Sequence, residues 1–174
     1  MKTFYIETPT IKSIFGDNPD ELRIEGYANT VDKDRVGDVV RASAWAKGVE
    51  NFKNNPILLY QHDHDKPIGK VTNLTIDPKG LHIEAVISEV AEKQYGVKTL
   101  IKEGILRSFS VGFKPKDAEY DKISDTFAIK ELDLLEVSVV SVPCNQYSLF
   151  SVKKSFEKES DYEEFKKQFV PEIS

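Results

Sequence analysis

Apolar and polar positions alternate along most of this chain with a period of two, the spacing at which one face of a β-strand is buried and the other wet. Lys2–Ile6 and Glu21–Ala28 show it first, separated by the turn-rich Gly16-Asp17-Asn18-Pro19-Asp20, so an opening hairpin between these two segments is expected. Pro56-Ile57-Leu58-Leu59-Tyr60 is a short continuous apolar run, the pattern of a buried strand. Ile68–Ile76 and Leu81–Ile87 flank Asp77-Pro78-Lys79-Gly80 and predict a second hairpin. Leu106–Phe113, Thr126–Glu131 and Leu134–Val142 predict three further strands, divided by a charged loop at Lys114–Asp125 and a short turn at Asp133.

The period changes in only two places. Trp45, Val49 and Phe52 keep helical spacing after Ser43, a residue suited to an N-cap. Val90, Val97 and Ile101, with Ala91, Tyr95 and Leu100 beside them, predict one amphipathic helix over Glu89–Glu103 that Gly104 terminates. Asn29–Asp38 is polar and reads as an exposed loop. Seven or eight strands and two helices make the fold mainly β with peripheral helices, an α+β arrangement whose regular hairpins suit a barrel or a strongly curved sheet. Residues 1–154 form one expected domain; residues 155–174 form a tail dense in Lys and Glu, either a surface helix or a mobile segment.

Composition narrows the function. Lys plus Arg number 24 and Asp plus Glu 29, a net charge of −5, which argues against a nucleic-acid partner. The single cysteine, Cys144, has no internal partner for a disulfide, residues 1–10 lack a secretory pattern, and no apolar run approaches membrane-spanning length. A soluble intracellular protein without membrane association is expected. No motif calls for a cofactor. The cluster His62-Asp63-His64-Asp65 offers imidazole and carboxylate groups, but no motif supplies the remaining metal ligands, so no metal is expected.

Three segments carry candidate chemistry. His62 follows the buried strand ending at Tyr60, where sheet hydrogen bonds fix the backbone and the imidazole emerges at an opening, a placement suited to a general base. In Arg107-Ser108-Phe109-Ser110-Val111-Gly112-Phe113 the small residues Ser108, Ser110 and Gly112 share one face, leaving clearance for a substrate carbonyl at a nucleophilic hydroxyl. Glu136 stands in the otherwise apolar Leu134–Val142, where a carboxylate demands a cation, a donor or an imidazole. Each segment alone is equally compatible with a structural role: a surface histidine, a half-buried strand, an edge carboxylate.

Taken together, Leu58-Leu59-Tyr60-Gln61-His62-Asp63, Ser110-Val111-Gly112-Phe113 and Leu135-Glu136-Val137-Ser138-Val139-Val140 through Pro143 resemble, in order and spacing, the prohead (capsid maturation) serine proteases of tailed bacteriophages. Gly26-Tyr27-Ala28, Gly37-Asp38-Val39-Val40 and Pro67-Ile68-Gly69-Lys70 extend the resemblance over about residues 25–148. It implies a herpesvirus-protease-like β-barrel of about seven strands. It also implies a Ser110 nucleophile, a His62 base and Glu136 as third member, with Asp38 and Asp63 as rivals for that place. The implied partners are phage scaffold and major capsid proteins as substrates, the chain itself as a further one, and a site of action inside the immature capsid in the host bacterium. Cys144 stands where the family often has alanine, and a homo-oligomer is left open.

Overall fold

The computed structural model describes residues 2–8, 11–15, 21–28, 37–141 and 151–170. One nine-stranded sheet contains β1 (Phe4–Thr8), β2 (Lys12–Phe15), β3 (Leu22–Tyr27), β4 (Val39–Val40), β5 (Ile57–Tyr60), β6 (Asp63–Asp77), β7 (Gly80–Ile87), β8 (Leu106–Asp121) and β9 (Thr126–Ser141). The hydrogen-bonded order is β1-β8-β9-β5-β6-β7-β3-β2, with β4 added in parallel against β9. The two ends of this path, β1 and β2, are consecutive in the chain, which obliges the sheet to curl until its ends approach each other. The Ile11 amide donates to the Arg107 carbonyl of β8 at 3.1 Å, and Thr8 Oγ1 donates to the Ala28 carbonyl beyond β3 at 2.7 Å. The mainly β, curled half-barrel expected from the alternation is the observed fold.

Its interior is filled from the inward positions of β1 and β3–β9. Phe4, Ile24, Leu58, Ile68, Ile83, Phe109, Val111, Phe113, Ile129, Val137 and Val139 are all at most 1% exposed. A short helix α1 (Ala44–Gly48) closes one side, placing Trp45 edge-on to Phe113 with ring centroids 6.0 Å apart. Ser43 occupies its N-cap position without a side-chain bond. Helix α4 (Glu159–Phe169) buries Tyr162 and Phe165, the latter packed on Phe4 at 5.3 Å and Phe127 at 5.8 Å between centroids.

Four local expectations are corrected. The hairpin partner of β3 is β2, while β1 pairs antiparallel with the long strand β8, an arrangement in which Phe4 and Ile6 are buried. The helix over Glu89–Glu103 is two, α2 (Glu89–Tyr95) and α3 (Val97–Lys102): Gly96, at φ +66°, takes the left-handed conformation that ends α2. The charged Lys114–Asp125 segment is not a loop. Up to Asp121 it continues β8, paired with β9 through Tyr120↔Phe127, and Asp133 lies within β9 opposite Lys114. Charge complementarity across this ribbon explains the reversal: Lys116 meets Asp133 at 3.3 Å, and Lys130 meets Glu119 at 3.4 Å and Asp117 at 3.6 Å. Pro115 is accommodated at a register irregularity between Pro115 and Asp117.

Candidate active site

The site lies on the outward face of β1, β8, β9 and the β5–β6 connection. Register places Tyr5, Gly112 and Glu136 in one row across β1, β8 and β9, and Glu7, Ser110, Ser138 and Leu59 in the next row across β1, β8, β9 and β5. Two residues separate the rows along each strand, about 6.8 Å at roughly 3.4 Å per residue. Ser110 and Gly112 share a face, and Phe109, Val111 and Phe113 turn into the core, as the alternation requires.

His62 reaches this face through a tight reversal. β5 runs parallel to β9 up to Tyr60↔Val139, and the Gln61 amide still donates to the Val139 carbonyl at 3.0 Å. Tyr60 then pairs with Asp63, leaving Gln61 and His62 as a two-residue hairpin loop with φ of +53° and +62°. Positive φ at both central positions is the pattern of a type I′ turn, normally built from Asn and Gly. Gln and His there hold a strained backbone, a feature that concentrates at functional sites. The loop is tied down where it returns: the His62 amide donates to Ser138 Oγ at 3.2 Å.

The imidazole then lies against Glu136. His62 Nδ1 is 2.6 Å from Glu136 Oε1, and an ionised carboxylate can only accept, so Nδ1 carries the proton and Nε2 presents its lone pair. Glu136 is 7% exposed in its side chain, and its second oxygen lies 3.2 Å from His64 Nε2. The Tyr5 ring packs edge-on to the His62 ring, centroids 4.4 Å apart and planes at 60°. Burial, with the Glu136 charge second, pushes the Tyr5 phenol above its ordinary pKa, so it stays protonated at neutral pH.

Ser110 is wholly buried, and its Oγ has no hydrogen-bond partner among the described residues. Ser108, two residues earlier on the same face, differs: its hydroxyl donates to the Phe109 carbonyl at 3.2 Å. Leaving a buried hydroxyl unpaired costs about 1–3 kcal/mol, so such a group in a folded chain calls for a reason beyond folding. Ser110 stands directly opposite Ser138, the residue that holds the His62 amide.

The rival carboxylates are engaged elsewhere. Asp38 accepts the Phe127 and Val152 amides at 2.6 Å each, bracketing the start of β9 and the segment before α4. Asp63 accepts the Asp65 amide at 2.9 Å and meets Lys66 at 3.7 Å. Glu136 is the carboxylate brought to His62. Cys144 lies outside the described residues. His82 is half-buried on β7, with Nε2 3.3 Å from Glu25 Oε2 and its ring against Tyr27. Tyr5 and Ser138 are not singled out from the sequence, and His64 figures there only within the cluster His62-Asp63-His64-Asp65. Alternation in Glu136-Val137-Ser138 and in His62-Asp63-His64 could have flagged the last two, whereas Tyr5 arrives through the β1–β8 pairing, which no local pattern announces.

The fold is that of a phage capsid assembly protease: the structure of the bacteriophage T4 capsid assembly protease, gp21, superposes with a TM-score of 0.59 over 82% of this chain and 100% of that one, at 12% identity. The family model described as caudovirus prohead serine protease matches residues 10–168, and the chain belongs to that family. The prohead protease of Escherichia phage T5 is 48% identical over 163 residues, 92% of this chain and 76% of that protein. A capsid polyprotein of Pseudomonas phage PAJU2 is 34% identical over 149 residues, 80% of this chain but 21% of the polyprotein.

Proposed function

We propose that this chain is a serine endopeptidase that cleaves phage scaffold or major capsid protein, and itself, during prohead maturation, with Ser110 as nucleophile, His62 as general base and Glu136 as the carboxylate that orients His62. The observation that carries the reading is the 2.6 Å His62–Glu136 bond one row along the sheet from a fully buried serine hydroxyl that has no partner among the described residues, His62 included. In this mechanism His62 Nε2 takes the Ser110 proton as Oγ bonds to the scissile carbonyl carbon, and the imidazolium so formed is stabilised by Glu136. Collapse of the tetrahedral adduct breaks the C–N bond, and His62 returns the proton to the leaving amine. Water, activated by the same imidazole, then hydrolyses the acyl-enzyme.

Membership in a prohead protease family and a relative named a capsid polyprotein support capsid proteins as substrates and the interior of the prohead, in the host cytoplasm, as the place of action. Among the described residues no helix is long and apolar enough to cross a membrane. Residues 1–154 form the protease domain in this reading, and α4 in the segment after Ser155 packs Phe165 on Phe4 and Phe127.

The test incubates the chain, its Ser110→Ala variant and its His62→Ala variant with the scaffold and major capsid proteins of the phage that encodes it. Cleavage by the wild type alone is expected. Fragments of equal yield from Ser110→Ala would overturn the assignment.

A further inference from the structure

A carboxylate that orients an imidazole must itself be held, and a glutamate has three rotatable bonds before its oxygens are placed. Glu136 has an imidazole at each oxygen: Oε1 accepts from His62 Nδ1 at 2.6 Å, and Oε2 lies at ion-pair distance from His64 Nε2, 3.2 Å. With one oxygen tied, the carboxylate can still swivel about the bond to its own chain; with an imidazole within reach of each oxygen, that rotation is restrained. The source of the second imidazole is built into the turn. β6 begins at Asp63, directly after the positive-φ pair Gln61–His62, and alternation returns His64 to the side that His62 occupies. His64 is 77% exposed in its side chain, with Nε2 turned to Glu136 Oε2 at 3.2 Å.

Resting on the reading of Ser110 and His62 as the reacting pair, we propose that His64 is a positioning residue, which holds the second oxygen of Glu136 so that the first keeps His62 aligned with Ser110. His64 touches neither nucleophile nor substrate in this arrangement. It acts through Glu136, so its removal lowers the rate of the chemical step and leaves binding unchanged.

The experiment measures covalent modification of the full chain by an alkyl fluorophosphonate, followed by intact mass, giving a maximal inactivation rate and a half-saturating concentration separately. His64→Ala is expected to lower the maximal rate about tenfold with the half-saturating concentration unchanged, in line with the rate losses that slight misplacement of a reacting group causes. His64→Gln, whose amide N–H can stand where Nε2 stood, restores most of the rate. As a second readout, the far-downfield N–H proton resonance of the His62–Glu136 bond, identified by its loss in His62→Ala, is expected to weaken in His64→Ala and persist in His64→Gln. Labelling of His64→Ala at the wild-type rate overturns the proposal, as does a His64→Gln variant as slow as His64→Ala. If the chain proves unreactive to the probe, an unchanged downfield resonance in His64→Ala overturns it. Modification that persists in Ser110→Ala sinks instead the assignment of the nucleophile, so the two failures are distinguishable.

Discussion

Replacing Gly112 by alanine tests the geometry of the site without touching any of its functional groups. A Cβ at this position would lie 2.7 Å from Glu136 Cγ and 2.9 Å from Tyr5 Cε1. Carbon atoms pack best at about 3.5–4.0 Å, so the contact with Cγ is short by roughly 0.8 Å even at the lower bound. Backbone yields little here, since Gly112 pairs with Tyr5 on one side and Glu136 on the other. The carboxylate arm must therefore move, and with it the bond to His62. Overpacking of this kind costs about 1–3 kcal/mol of stability, and a displacement near 1 Å at a reacting group can cost about a hundredfold in rate. Gly112→Ala should therefore remain folded, with a lowered urea midpoint, while cleavage of the capsid substrate falls by about two orders of magnitude. Gly48→Ala is the control: its Cβ would meet the Leu132 carbonyl oxygen at 2.6 Å, away from the site, and should lower stability without a specific loss of activity. Gly112→Ala with wild-type cleavage would refute the idea that the Gly112–Glu136 contact sets the position of the imidazole.

Ser110→Ala removes a buried hydroxyl with no described partner, so it should raise stability by up to about 1–3 kcal/mol in urea denaturation while abolishing cleavage; a lower midpoint would mean that Oγ is satisfied in solution. Ser108→Ala, whose hydroxyl bonds only to the adjacent Phe109 carbonyl, should keep substantial activity in the same cleavage assay. Burial raises the Asp38 carboxyl pKa, against the opposing effect of the Phe127 and Val152 amides. A raised folded pKa means that the folded state holds the proton more tightly, so the Asp38 contribution is fullest below the ordinary carboxylate range and declines as pH rises through the shifted value. The stability difference between wild type and Asp38→Asn, followed by urea midpoints across that range, should shrink with rising pH, and a difference that grows would contradict the burial argument. Phe165→Ala should cost about 3–5 kcal/mol, because its ring fills a buried position between Phe4 and Phe127, and thermal unfolding would show it as a single lowered transition.

Much of the fold was legible in the alternation because a period of two records which face of a strand is buried, and the core positions Phe109, Val111, Phe113, Val137 and Val139 follow it. Where the local pattern misled, long-range pairing had overridden it. Lys114–Asp121 reads as a polar loop until Lys116 meets Asp133 and Lys130 meets Glu119 and Asp117 across the ribbon. β1 reads as the hairpin partner of β3 until the sheet order places it against β8, at the opposite end from β3 and β2. The site divides in the same way. Sequence alone determined that a histidine ends a buried strand, that Ser110 lies on a face of small residues, and that Glu136 in an apolar strand needs a partner. Only the tertiary structure decided that the partner is His62, because their sequence separation is closed by the parallel β5–β9 register and a two-residue turn at positive φ. It also decided that Asp38 and Asp63 are spent on backbone amides, and that His64 and Tyr5 join the cluster. A one-dimensional pattern records the side on which a residue lies; which residues from distant strands share a row is set by sheet register, which the balance of burial over the whole molecule determines.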